Sequence, residues 1–322
     1  MKVGLVGTGY AAKVRAEAFQ ADPRSHLVAV TGHDANKTAE FAQSYGAKVE
    51  TTYADLIQRA DIDLVVIATI NRDHAAIARA ALSTGKHVVV EYPLALAVSE
   101  AKELLALAQT QQKLLHVEHI ELLSSIHLAI RSALPQIGTP FYVRYSDLAP
   151  KRPAPAKWTY QLDLFGFPLV GALSRLNRLI DLFGAVKTVS CQARYWSKSG
   201  AINAYDTCLC TAQLRFVSGL VADVTYGKGE ALWQAERTLT IHGDQGAIAL
   251  NGETGTLIQP DQTSPLDLGS RRGLFAQDTA QVLNHLLDGT PLYLTPQVSL
   301  YALTVADAAR QSAETGTVIT IG

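Results

Sequence analysis

Residues 2–19, KVGLVGTGYAAKVRAEAF, decide the fold. A short apolar run of strand length, KVGLVG, passes through Gly7-Thr8-Gly9 straight into AAKVRAEAF, whose apolar residues recur at helical spacing. Gly7-Thr8-Gly9-Tyr10-Ala11-Ala12 reads G-x-G-x-x-A. Gly7 permits the tight turn, and Gly9 has no side chain to hold a pyrophosphate away from the helix N-terminus. Ala12 lets the helix pack close to the strand. Alone the motif is weak; at the head of a strand–helix–strand array it is strong.

Working outward, that array continues. HLVAVTG, DLVVIAT and HVVVEYP are continuous apolar strands, separated by the helix-like NKTAEFAQSYG (closed by Gly46) and HAAIARAALSTG and followed by VSEAKELLALAQTQQ. Such strands joined by helices make a parallel sheet covered on both faces. After about residue 122 the rhythm changes. PFYVRYSDL, TVSCQARYW, DTCLCTAQLRF, LVADVTYG and RTLTIHG read as an antiparallel meander, interrupted by helix-like stretches at 168–183, 274–288 and 297–313 before a last strand, VITI. The expected class is α/β: a Rossmann domain with a parallel sheet over residues 1–122, then a substrate-binding α+β domain with a large, mostly antiparallel sheet over 123–322. A chain of 322 residues exceeds what one core usually supports. The Pro-rich APKRPAPAKW (149–158) falls inside the second domain and is expected to form a loop over a site.

Composition narrows the partners. At 48% hydrophobic, 18% charged and net charge -1, nothing asks for a nucleic acid or an anionic membrane surface. No run of about 18 apolar residues is present, and Met1 leads directly into a strand, so a soluble cytoplasmic protein is expected. Cys191, Cys208 and Cys210 suit a reducing compartment and read as small buried hydrophobes, with no zinc spacing around them. The large sheet suits either a dimer face or a helix-covered core, which leaves oligomerisation open.

The end of the second strand bears on the nucleotide. Val30-Thr31-Gly32-His33-Asp34-Ala35-Asn36-Lys37 places Gly32 where an NAD enzyme carries its acidic residue. No carboxylate there repels a 2′-phosphate, and His33 and Lys37 favour one. NADP(H) is therefore expected over NAD(H), although Asp34 stands close by.

Thr69-Ile70-Asn71-Arg72-Asp73-His74 after one core strand and Glu91-Tyr92-Pro93 after the next give the whole chain a resemblance to the glucose–fructose oxidoreductase / inositol dehydrogenase family. The resemblance implies that the T-x-N-x-x-H loop (Thr69, Asn71, His74) lies beside the nicotinamide ribose and that Glu91 holds the nicotinamide end. Together with Gly7, Gly9, Tyr10, Ala11, His33 and Lys37 these are the expected cofactor contacts. Two departures matter. Family sugar dehydrogenases carry a lysine where Tyr92 stands, and an Asp and a His four residues apart on a helix of the second domain. In GALSRLNRLIDLFG (171–184) the histidine position falls on Arg178, and the aspartate position on Ser174, or on Arg175 with a one-residue gap. The groups that take a proton from an alcohol are missing, since an arginine with a pKa above ~12 is no base at neutral pH.

Within the family, EYPLAL (91–96), HVEHIELL (116–123), SRLNR (174–178), YGKGE (226–230) and GSRRGLF (269–275) resemble the branch of cyanobacterial-type biliverdin reductases. That resemblance implies NADPH-dependent hydride transfer to the central methine of biliverdin IXα, giving bilirubin. The pigment is a planar anion that gains a proton, so cationic donors suit it better than a base. Arg175 and Arg178, at i and i+3, are then the expected catalytic and substrate-binding pair, with Tyr92 as donor or spacer and His119 as a further substrate contact. The bland reading of the same helix is a solvated face with Arg178 paired to Asp181. His116, Glu118, His119 and Glu121 alternate if the stretch is a strand, which splits any ligand set, so no metal is expected. Lys151, Arg152, Arg271 and Arg272 are candidate propionate contacts. A sugar or polyol dehydrogenase of the same family and a non-catalytic dinucleotide-binding regulator are the rival readings.

Overall fold

The computed structural model describes residues 1–198, 200, 203–270 and 272–322. The expected alternation is present from the first residues: β1 (Lys2–Val6), α1 (Tyr10–Ala21), β2 (His26–Thr31), α2 (Ala35–Tyr45), β3 (Lys48–Val49), α3 (Tyr53–Gln58), β4 (Leu64–Ile67), α4 (His74–Ser83), β5 (His87–Val90), α5 (Val98–Thr110) and β6 (Leu115–Val117). The six strands pair in the order β3-β2-β1-β4-β5-β6, every pair parallel. This is the doubly wound order, with its topological switch point between β1 and β4. Continuous burial of β4 (all four residues) is what a sheet covered on both faces demands.

The second part runs α6 (Ser125–Ala133), β7 (Pro140–Pro150), α7 (Leu162–Phe165), α8 (Pro168–Gly171), α9 (Ser174–Phe183), β8 (Val186–Trp196), β9 (Thr207–Phe216), β10 (Val221–Gly229), β11 (Glu236–Gly243), β12 (Gly246–Asn251), β13 (Thr254–Gln259) and β14 (Gln262–Pro265). It is followed by α10 (Leu274–Asp288), α11 (Pro296–Thr315) and β15 (Ile319–Thr320). Nine strands form one sheet in the order β14-β13-β12-β11-β7-β10-β9-β8-β15. The simple meander expected from the pattern is interrupted at one place. β7 does not pair with β8 but inserts between β10 and β11, parallel to β10 and antiparallel to β11. Along β9 buried and exposed residues alternate, so one face is covered and the other open. Helices supply the cover: α8 packs on β9 and β10, Phe183 of α9 meets Phe216 of β9, and Ser312 of α11 accepts the Cys191 N–H of β8. The expected 168–183 helix is two helices with a break at Ala172, where Gly171 leaves room for the Phe165 ring.

The chain divides into two compact units, Met1–Ile120 with Gly273–Tyr301 and Glu121–Arg272 with Ala302–Gly322. Residues 273–301, which the sequence reading placed in the second domain, therefore return to the first. The physical reason is α10: it packs on α1, and its Val282 and Leu283 enter the core of Val3, Leu5, Ala12, Ala16, Phe19 and Leu64.

All three cysteines are free and buried, with Cys191 Sγ 3.4 Å from Cys210 Sγ. Among the described residues no cluster of His, Cys, Asp or Glu is arranged to hold a metal, and no helix is long and apolar enough to cross a membrane.

Candidate active site

In the first unit the glycine loop lies at the carboxyl end of β1. Gly7 has φ +123°, and a Cβ there would stand 2.2 Å from the Ala68 carbonyl oxygen, so only glycine fits. Gly9 opens α1 with no side-chain cap, and a Cβ on it would meet nothing within 4 Å. Uncapped N–H groups facing open space are what a pyrophosphate requires. Tyr10 is largely exposed, Ala11 half-buried and Ala12 fully buried. These residues fit a dinucleotide.

Beside the end of β2, the Asp34 carboxylate accepts the Lys37 N–H and caps α2. Capping gives that carboxylate a local structural task. His33 and Lys37 are exposed on the same turn, and Gly32 contributes no side chain between Thr8 and Thr38.

His74 joins the two loops expected at the nicotinamide end. Its Nδ1 lies 2.8 Å from Pro93 O and its Nε2 3.3 Å from Thr69 O, while burial pushes its pKa down. Asn71 is buried in the turn between them. The half-buried Tyr92 lies parallel to the His119 ring, centroids 5.5 Å apart and planes 8° apart. Burial lowers the His119 pKa to about 3, so this imidazole is neutral.

The strand expected to carry His116, Glu118, His119 and Glu121 ends at Val117, so alternation does not sort these four side chains. His116 faces Asp278, with Nε2 2.8 Å from Oδ1. Glu118 is buried against Glu91, and that burial first, then the Glu91 charge, holds its carboxyl well above the usual range. Glu121 pairs with Arg178 in the second unit.

There α9 presents the arginines. Arg175 holds Asp147 through Nε at 3.1 Å and a terminal nitrogen at 2.5 Å, and its guanidinium lies 5.6 Å from the Tyr226 ring centroid. Arg178, only 7% exposed, donates to Glu121 Oε2 at 2.7 Å and to the Tyr145 hydroxyl at 3.4 Å. Among the described residues its Nε has no hydrogen-bond partner, and neither amide atom of the buried Asn177 has one. The solvated-face reading therefore does not hold, nor does a pair between Arg178 and Asp181. Asp181 instead takes His127 at 2.7 Å and Arg131. Burial raises its pKa, but His127 and Arg131 outweigh that and hold it below the usual value.

Sequence reading missed Lys228. Its ammonium is buried, donates to Thr159 O and sits 3.8, 4.9 and 5.7 Å from the Phe165, Tyr160 and Tyr205 ring centroids. YGKGE held the signal, a lysine alternating into the buried face of a strand, but the aromatic box comes from residues distant in sequence. In the Pro-rich loop, Arg152 donates to Leu232 O and stacks over Trp233 at 3.7 Å. Lys151 and Arg272 are exposed, and Arg271 lies outside the described residues.

Residues 1–119 match a family model described as an oxidoreductase family, NAD-binding Rossmann fold, and residues 133–321 match its C-terminal alpha/beta domain. A crystal structure of biliverdin reductase from Synechocystis sp. PCC 6803, in complex with biliverdin and NADP+, is 52% identical, with a TM-score of 0.95 over 97% of this chain and 99% of that one. Human biliverdin reductase A is 29% identical over 189 residues; the match spans 58% of this chain and 60% of the human protein, under two thirds of its length. The structure of UDP-N-acetylglucosamine 3-dehydrogenase from Acidithiobacillus ferrooxidans, at 24% identity and TM-score 0.77 over 98% of both chains, shares the fold. With both halves of the family model matched in order, the chain belongs to the glucose–fructose oxidoreductase / inositol dehydrogenase family of NAD-binding Rossmann oxidoreductases.

Proposed function

We propose that this chain is an NADPH-dependent reductase of biliverdin IXα that forms bilirubin. The observation that carries the reading is the likeness, along nearly the whole of both chains, to an enzyme crystallised with biliverdin and NADP+. The residues agree with it. Gly7, Gly9, Tyr10 and Ala11 would hold NADPH at the N-terminus of α1, and the bound cofactor would supply a hydride. Thr69, Asn71, His74 and Glu91 would line the nicotinamide side, and His33 and Lys37 would favour the 2′-phosphate.

The hydride adds to the central methine carbon, and a pyrrolic nitrogen takes up one proton. Biliverdin, NADPH and a proton thus become bilirubin and NADP+. No alcohol is deprotonated, so the absent lysine and histidine are not needed. Arg175 and Arg178 meet the developing negative charge and the acid groups of the pigment as permanent cations. Asp147 and Glu121 hold the two guanidinium groups in place. Tyr92, backed by His119, presents a flat aromatic surface to the pigment. The free thiols of Cys191 and Cys210, 3.4 Å apart, support a reducing, cytoplasmic setting.

Purified protein given NADPH and biliverdin should lose the pigment's long-wavelength band and gain that of bilirubin. Absence of conversion across acidic to neutral pH, or turnover of a sugar alcohol with NADP+, would overturn the proposal.

A further inference from the structure

Asp278 stands at the centre of a buried network in the first unit that hydride and proton transfer do not call upon. Its side chain, on α10, is wholly buried. Oδ1 accepts the Tyr293 hydroxyl at 2.8 Å and lies 2.8 Å from His116 Nε2, and Oδ2 takes the Arg15 guanidinium. Burial opposes the Asp278 charge, but Arg15 and then His116 outweigh it and keep the carboxylate ionised.

Two arms run from this carboxylate to one ring. Along the first, Arg15 Nε donates to Glu91 Oε1 at 2.9 Å, and Glu91 is the residue immediately before Tyr92. Along the second, the Tyr293 oxygen accepts the His119 backbone N–H at 3.1 Å. The His119 ring, with Nε2 3.0 Å from Ser299 Oγ, then stacks flat on Tyr92. The backbone before Tyr92 and the surface under its ring are thereby tied to the same buried anion.

We propose that Asp278 is the positioning residue for Tyr92, acting through Arg15 and Glu91 on one side and through Tyr293 and His119 on the other. The proposal rests on the reading of Tyr92 as a group that faces the pigment. Misplacing such a group by about 1 Å costs on the order of 10²-fold in rate. The loss should appear chiefly in kcat, since the glycine loop is untouched and Glu91 is the one cofactor contact on the network.

Three substitutions test it. Asp278→Asn keeps the shape and removes the charge, Tyr293→Phe removes one hydroxyl joint, and Tyr92→Ala removes the ring acted upon. Asp278→Asn should lower kcat for biliverdin on the order of 10²-fold, by more than it weakens the binding of NADPH, in which Glu91 shares. Tyr293→Phe should lower kcat by less. In a Tyr92→Ala background, Asp278→Asn should cost almost nothing further, because coupled residues are not additive. Additive losses, or wild-type kcat in Tyr293→Phe, would overturn the proposal, and the second result decides even if Asp278→Asn does not fold. Should the unsubstituted chain reduce no biliverdin, the functional reading has failed. Positioning is still decided by the Tyr92 ring-flip rate, measured by NMR on tyrosine-labelled protein. Faster flipping in Tyr293→Phe or Asp278→Asn supports it, and unchanged flipping in both overturns it.

Discussion

At the scale of single residues, two buried cations of the second unit behave differently. Arg178 is held by Glu121 and Tyr145. Arg178→Ala or Arg175→Ala is expected to lower kcat on the order of 10²-fold, as loss of one transition-state donor does, with NADPH binding retained. Steady-state kinetics beside NADPH titration check this, and equal losses in both would indicate a structural role. Lys228 is titratable. Burial pushes its ammonium down to about 8, with Cys208 opposing and Arg175 adding to the shift. Between about 8 and the ordinary 10.5 the folded chain binds fewer protons here than the unfolded one. Stability should therefore rise as pH climbs through that window, by at most about 3 kcal/mol. The three aromatic faces offset part of the burial and reduce the rise. Lys228→Met should flatten it, as read by denaturant unfolding on both sides of the window. That Arg175 and Arg178 share a helix face was legible from their spacing, and their place in the site followed from the family resemblance. Their partners Asp147, Tyr145 and Glu121 were not legible, because they reach α9 only through the sheet order and the turn after β6.

At the scale of elements, caps and strand order separate what local pattern encodes from what it does not. Asp34 left the nucleotide choice ambiguous in the sequence, and α2 accounts for it as an N-cap. Asp34→Ala should lower stability by removing that cap. It should leave the preference for NADPH over NADH in place, which thermal melts and kinetics with both cofactors would show. A shift of preference would mean that Asp34 touches the ribose. The helix α3 passed unnoticed, although its capping box of Thr52 and Asp55 was present in the letters; six residues are too few for a periodic signal. The place of β7 was beyond local reading altogether. Alternation marks PFYVRYSDL as a strand, but its parallel partner, β10, begins about 80 residues later at Val221.

For the whole molecule, the cofactor-binding unit is discontinuous in sequence. Its core needs Val282 and Leu283, and Arg15, with 0% exposure, needs Asp278. Stripping a partner from a buried charge costs roughly 3–5 kcal/mol, a large part of a typical domain's stability. A fragment of residues 1–120 should therefore give no cooperative melt and no NADPH binding. The same fragment joined by a Gly/Ser linker to 273–301 should recover both, as followed by circular dichroism and nucleotide fluorescence. A stable, NADPH-binding 1–120 fragment would contradict this. The alternating strands and helices were readable because each depends on neighbours a few residues away. The return of α10 was not, since nothing within its own apolar spacing names the surface it covers.

That return has a consequence for synthesis. Arg15 and Asp278 are 263 residues apart in the chain. At the usual 5–20 residues per second, roughly 13 to 53 s pass between the emergence of the cation and that of its counter-ion. For most of that interval the nascent Rossmann sheet lacks the α10 side of its core, and Arg15 has Glu91 but not Asp278 for a partner. The first unit is thus finished only after residues 273–301 have been made, and its competence to take up a nucleotide reports that translation has passed α10.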